Sequence, residues 1–359
     1  MPSTLKRLAC ALLAAGASAT LAPAALAQPV IDLPSTVQTV IRGEINNSRA
    51  PVLRIKSGQT VKIDTISHAG ATGEALSFFG AAGIPADQVL KDVIDIGAAS
   101  KANGWGGHVL TGPVYVEGAE PGDALEIKII KIQPRVPYGV NTPGPGGVAP
   151  TLVTERKVKI IKFDMARKVA LFSDNVEVPL APFMGIMAVA PDPATTGGKV
   201  GSRAPGAFGG NMDINVLVDG STLYLPVFNP GGLFYTGDSH AVQGDGEVDG
   251  TAIEASMTAT LQFILHKGAG KALKYPIAED KDNFYIMGMD TDLDVALRSA
   301  VEETVGFLVR QAGMSAADAY SLASVGIDFA VAEAVDHNLN IYGSILKKMF
   351  KTPVSAVGK

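Results

Sequence analysis

The chain has one cysteine, Cys10, and one tryptophan among 359 residues, and charged residues make up only 18% of it. Because Cys10 lies in an N-terminal apolar stretch, the rest of the chain has no disulfide framework and no thiol nucleophile. Cations are scarce as well: 30 Lys and Arg face 35 Asp and Glu, a net charge of −5, with no basic stripe. Without such a stripe there is no electrostatic footprint for a phosphate backbone, and nucleic acid is not expected as a partner. Walker, dinucleotide-binding and HExxH patterns are absent. Gly237-Asp238-Ser239-His240-Ala241 lacks the final glycine of a nucleophile elbow, and no Gly/Ser-rich loop suited to a serine amidase is found.

Hydrophobic residues supply 47% of the chain, which excludes disorder and leaves ample material for a core. The first 27 residues read as a leader outside the fold. Lys6 and Arg7 form a basic head, Leu8 to Leu26 an Ala/Leu-rich stretch, and Ala25-Leu26-Ala27 the small-x-small pattern that signal peptidase reads. Gly16, Ser18, Thr20 and Pro23 dilute the stretch too far for a good membrane anchor. The expectation is an exported protein, periplasmic or secreted, cut after Ala27, with neither cysteine nor membrane anchor in the mature chain.

Residues 28–359 read as one mainly β domain of the α+β kind. Period-two alternation and β-branched runs predict strands at Val37–Arg42, Val61–Ile66, Leu125–Ile132, Val158–Phe163, Val169–Phe172, Ile214–Val218, Leu223–Phe228 and Met257–Leu265. In Ala124–Ile129, Leu125, Ile127 and Ile129 share one face while Glu126 and Lys128 take the other. Three Gly/Pro-rich connections, at 141–150, 191–211 and 229–250, are too long for hairpin turns. The pattern changes near Asp290. Leu293, Leu297, Val301, Val305 and Leu308 recur at helical spacing, and Ser315 with Asp318 resembles a capping box for a second helix running toward Val335. The expectation is therefore antiparallel sandwich-like or barrel-like sheets over 28–289 and a helical portion over 290–350, whose apolar residues suit a homodimer interface.

The densest polar segment is 238–254, with Asp238, His240, Asp245, Glu247, Asp249 and Glu254 among glycines at 237, 244, 246 and 250. Glycine permits tight turns, so several oxygens can face one centre, and carboxylates crowded this way repel unless a cation or proton intervenes. An imidazole with carboxylates suits zinc, and an all-oxygen set suits calcium; a solvated acidic loop is the plain alternative. Asp213 and His108 each stand where a Gly-rich loop meets a predicted strand. His68, His266 and His337 have no such surroundings and read as structural. Asp290, Asp292 and Asp294 imitate a calcium loop, but Val295 and Val301 fill the slots that need Gly and Glu, leaving acids at a helix N-terminus.

Several stretches together resemble the acetamidase/formamidase family: Gly107-His108-Val109-Leu110-Thr111-Gly112-Pro113-Val114 on to Asp123, Pro182-Phe183-Met184-Gly185 to Pro191, and Pro205-Gly206 to Asp213. The likeness continues through Leu223–Pro230, Ser239–Glu254, the Asp292-Leu293-Asp294 helix and Asp318–Leu322. The segment Gly244-Asp245-Gly246-Glu247-Val248-Asp249-Gly250-Thr251-Ala252-Ile253-Glu254 is its most specific part. The resemblance implies hydrolysis of small linear amides to a carboxylate and ammonia, and points to this region as the site. Within it, His240, Asp213 and Glu254, with His108, are expected to hold a divalent cation, zinc or calcium. Glu247 is expected to act as general base, with Asp245 orienting it or bridging to the metal. The competing expectations are an exported, non-catalytic binding protein stabilised by its metal, and a hydrolase of another C–N bond.

Overall fold

The structure, a computed structural model, describes residues 29–71, 73–104 and 106–358. The leader expected at 1–27 lies outside the described residues. Among them, two large sheets dominate. A nine-stranded sheet runs in the order Ile31–Leu33, Thr60–Asp64, Met257–His266, Ala124–Pro134, Thr222–Pro226, Ile277–Glu279, Asn283–Asp290, Leu339–Leu346 and Asp328–Glu333. The second sheet contains Gly209–Asn211, Phe183–Ala188, Phe234–His240, Val109–Val116 and Val40–Arg42, with Leu53–Ile55 parallel to Val109–Val116. Most pairings are antiparallel, as the alternating patterns require, and the sheets stay open instead of closing into a barrel.

One apolar core draws on both sheets. Leu125, Ile127 and Ile129 of the alternating strand are buried, together with Val61, Ile63, Leu261 and Phe263 from its neighbours and Leu110, Met184, Ile186 and Phe234 from the other sheet. Phe234 and Phe263 meet edge to face across the two layers, with ring centroids 5.1 Å apart. Two helices, Ala75–Gly80 and Lys91–Asn103, cover one end through a core containing Phe79, Val93, Ile96 and Tyr138.

The C-terminal region departs from the expectation of a helical 290–350. Leu293–Ala312 and Ala316–Gly326 are helices, capped by Asp292, which accepts the N–H of Asp294 and Val295, and by Ser315, which accepts that of Asp318. Beyond Ile327 the apolar run is a strand: Asp328–Glu333 pairs with Leu339–Leu346 and completes the nine-stranded sheet. Apolar residues in a short run satisfy a buried strand and a helix equally, and sheet pairing decides here. The expected strand at Ile214–Val218 is likewise absent. Ile214 and Leu217 are buried inside a turn closed by Leu217 N–H to Ile214 O at 3.2 Å, so their burial reflects core contact without sheet pairing. The first predicted strand begins only at Val40, because Thr36 to Thr39 form a turn.

Candidate active site

Segments remote in sequence deliver the polar groups of one buried cluster. The strand Phe234–His240 ends in Asp238, Ser239 and His240, all buried. Glu254 lies opposite His240 in an antiparallel bridge and is held from the other side by Val140. Asp213 follows Gly209–Asn211 and hangs by its N–H on Gly185 O at 3.3 Å. Glu247 sits in a tight loop closed by Glu247 N–H to Gly244 O and Gly250 N–H to Glu247 O. His68 follows Thr60–Asp64, His108 precedes Val109–Val116, and Asp336 stands in the turn between the last two strands. Asp213, Asp238 and Glu247 have φ of +43°, +48° and +44°, a backbone region that side chains other than glycine adopt only under constraint. Three acids of one cluster share that strain.

Each imidazole of the cluster has its Nδ1 engaged by a polar neighbour. The side-chain nitrogen of Gln243 donates to Asp213 O at 2.8 Å and Ala332 O at 3.2 Å, which turns its oxygen toward His240 Nδ1, 2.9 Å away. Nδ1 therefore carries a hydrogen, and Nε2 faces Glu254 Oε1 at 3.4 Å and Asp238 Oδ2 at 3.6 Å. His108 is set the same way: Nδ1 lies 3.3 Å from Ser202 O and 3.0 Å from Ser202 Oγ, leaving Nε2 3.7 Å from Asp238 Oδ2. His68 Nδ1 is 3.1 Å from Asp238 Oδ1.

Burial and mutual repulsion push the Asp213 and Glu247 carboxyls well above the usual range, and burial also raises Asp336. Asp238 goes the other way. Burial opposes its ionisation, but His108, His240 and His68 together hold it well below the ordinary value. His240 is raised well above an ordinary imidazole, because Glu254 and Asp238 outweigh the burial that disfavours its charge.

The donor atoms fit a cation. Both Asp213 carboxylate oxygens, His240 Nε2 and Glu254 Oε2 are buried without a hydrogen-bond partner, an arrangement that buried polar atoms rarely tolerate. Four overlapping groups have ligand atoms within 4.8 Å of one another: His68, His108 and Asp238; Asp213, Asp238 and His240; His240, Glu247 and Glu254; Asp213, Glu247 and Asp336. Shared members chain Asp213, His240, Glu247 and Glu254 together, while His108 joins them only through Asp238. Asp245 stays outside these groups, 3.0 Å from Asn215 Nδ2 and 3.3 Å from the Tyr342 hydroxyl. Asp249 is spent on Asn141 and Thr251.

Two residues of the cluster escaped the sequence reading. His68, read as structural, faces Asp238, and nothing near it in sequence signals this because its partners come from 170 residues away. Asp336 arrives on a hairpin in a region read as helix. Asp238 belongs to the conspicuous acidic segment but was given no role of its own. His266 does lie elsewhere, paired with Glu126 at 2.5 Å, and His337 is exposed beside Asp336.

The turn that carries Asp336 depends on a buried acid. Glu333 Oε2 accepts the N–H of Val335 and of Asp336 at 3.0 Å each, and burial pushes this carboxyl up to about 8. The folded chain therefore keeps a proton there that the unfolded chain releases near the ordinary carboxylate value. The group's contribution to stability is full below that value and is lost as pH rises through about 8. Glu333→Gln stays neutral and keeps an acceptor oxygen. Its Tm relative to the parent is expected to improve from pH 5 to about pH 8 and then level off in calorimetry, whereas a pH-independent difference would contradict a raised Glu333.

The profile of the Acetamidase/Formamidase family matches residues 50–198 and 198–350. The chain belongs to this family. Among curated relatives, it is 28% identical over 278 residues to a Schizosaccharomyces pombe protein assigned as a formamidase, covering 62% of this chain and 64% of that one. The acetamidase of Mycolicibacterium smegmatis is 26% identical over 210 residues, covering 40% and 49%. The chain thus matches between about half and two thirds of these relatives' length. Solved structures match more completely. An acetamidase from Bacillus halodurans superposes with a TM-score of 0.74 at 26% identity, over 89% of this chain and 99% of that one. An acetamidase from Yersinia enterocolitica gives 0.73 at 28%, over 89% and 93%.

Proposed function

We propose that this family member hydrolyses linear primary amides, formamide and acetamide being the simplest, to a carboxylate and ammonia with water as the nucleophile. The observation that carries the reading is the presence of partnerless buried donors, Asp213, His240 Nε2 and Glu254 Oε2, in two overlapping ligand groups that share His240. Water is favoured over a serine because Ser239, the hydroxyl nearest the cluster in sequence, is buried and already committed, with Oγ 2.7 Å from Ala255 O and 2.9 Å from Thr65 Oγ1.

In this reading His108, Asp213, His240 and Glu254 hold a divalent cation, zinc or calcium, with His68, Asp238 and Asp336 within reach. Such a cation supplies Lewis acidity toward the amide carbonyl and a lowered pKa for its bound water. Gln243 and Ser202 fix the rings of His240 and His108 so that their Nε2 atoms point inward. Glu247 accepts the proton of the attacking water and returns it to the amide nitrogen as the C–N bond breaks, so that ammonia leaves and the acid remains.

Chelation followed by metal restoration tests this directly. Ammonia release from formamide and acetamide is expected to vanish with chelator and return with zinc or calcium. A protein that binds stoichiometric metal, loses only thermal stability on chelation and never releases ammonia would instead be the non-catalytic, metal-stabilised alternative.

A further inference from the structure

A cleft of about 940 Å³ opens beside the cluster. It borders the cluster at two residues: Asp336, which groups with Asp213 and Glu247, and Ser202, whose Oγ contacts His108 Nδ1. Between and beyond them the wall is mixed: Thr196, Arg203, His337 and Asn338 bring polar groups, and Val200, Pro205, Phe208 and Val335 form its apolar part. The wall is also fixed. Asn338 Nδ2 donates to Pro205 O at 2.9 Å, and the Phe208 ring is 8% exposed and packs against the backbones of Gly206 and Gly210.

Formamide and acetamide use almost none of this surface. A volume near the top of the range of about 300–1,000 Å³ seen for small-molecule sites would stay filled with water while they react. Binding energy from parts of a substrate remote from the reacting bond can drive positioning at that bond, and the apolar part of a cleft bordering the cluster offers that energy to an alkyl chain. We propose, resting on the amidase reading above, that the preferred substrates are primary amides with acyl chains longer than acetyl, their tails lying along Val200, Pro205, Phe208 and Val335.

Each methylene buried along this wall should raise kcat/KM by about three- to fourfold at most. From acetamide through butyramide to hexanamide the metal-loaded protein is expected to gain on the order of 10- to 100-fold, since an open cleft buries each methylene only in part. Gly201→Phe fills the same space from the rim. A side chain there meets no atom within 4 Å of its Cβ, so the backbone tolerates it. This variant is expected to lower the hexanamide-to-acetamide ratio of kcat/KM about tenfold. A flat or falling chain-length profile, with acetamide turned over, would overturn this inference and leave the amidase reading standing. An unchanged ratio in Gly201→Phe would overturn the placement of the tail. Absence of turnover with every amide would overturn both readings at once.

Discussion

Glu247→Gln is expected to lower kcat by about 10²- to 10⁴-fold, the range associated with loss of a general base. The substitution keeps the shape and the hydrogen-bonding oxygen but removes the ability to take a proton. It also removes an acidic group from a set of carboxyls that disfavour one another's ionisation: Glu247 is only 8% exposed, and its ligand atom lies within 4.8 Å of those of both Asp213 and Asp336. In the metal-free protein that relief should raise Tm or leave it unchanged. Activity therefore falls with no loss of stability, a combination that misfolding cannot produce. Full turnover in a folded, metal-loaded variant would exclude Glu247 as the base.

The parts of the fold that were legible in sequence are those in which one face of an element is wet. Ala124–Ile129 alternates because Lys128 reaches solvent while Leu125 and Ile127 are buried, and Leu293–Ala312 shows a helical period with its caps at both ends. Phe183–Ala188 and Phe234–His240, the two strands that support the site, show no alternation because every residue in both is buried. Two-sided burial erases the period-two signal, and these strands went unread. The same limit applies to the cluster. Asp213, His240, Glu247 and Glu254 were visible through glycine-rich acidic surroundings, whereas His68 and Asp336 are brought in by tertiary pairing alone. Asp245, chosen for its place between two glycines, has its carboxylate occupied by Asn215 and Tyr342. Sequence spacing singles out the loop without resolving which of its side chains turn inward.

Gly185→Ala is expected to have the other large effect, although Gly185 contributes no donor atom. It lies in the middle of Phe183–Ala188, with its carbonyl accepting the N–H of Met212 at 3.1 Å and of Asp213 at 3.3 Å. A Cβ at this position would stand 2.7 Å from Asp238 O and 3.0 Å from His240 Cε1, and closer still to Asp213 Oδ1. None of these can yield easily: the first is backbone, His240 is fully buried against Phe183 with ring centroids 5.0 Å apart, and Asp213 is held at positive φ. Either the strand bulges or the Asp213 carboxylate moves away from His240. Overpacking of this kind destabilises by about 1–3 kcal/mol, which a core of this size survives. The functional loss should be larger, because a displacement of about 1 Å in a positioned group is enough for a rate loss of about 100-fold. Metal retention through dialysis should fall with it. Gly201→Ala is the matched control for stability, since a Cβ there meets nothing within 4 Å, and its Tm should equal the parent's. Parental metal content and turnover in Gly185→Ala would mean that Asp213 does not lie against this strand, and the cluster would have to be rebuilt without it.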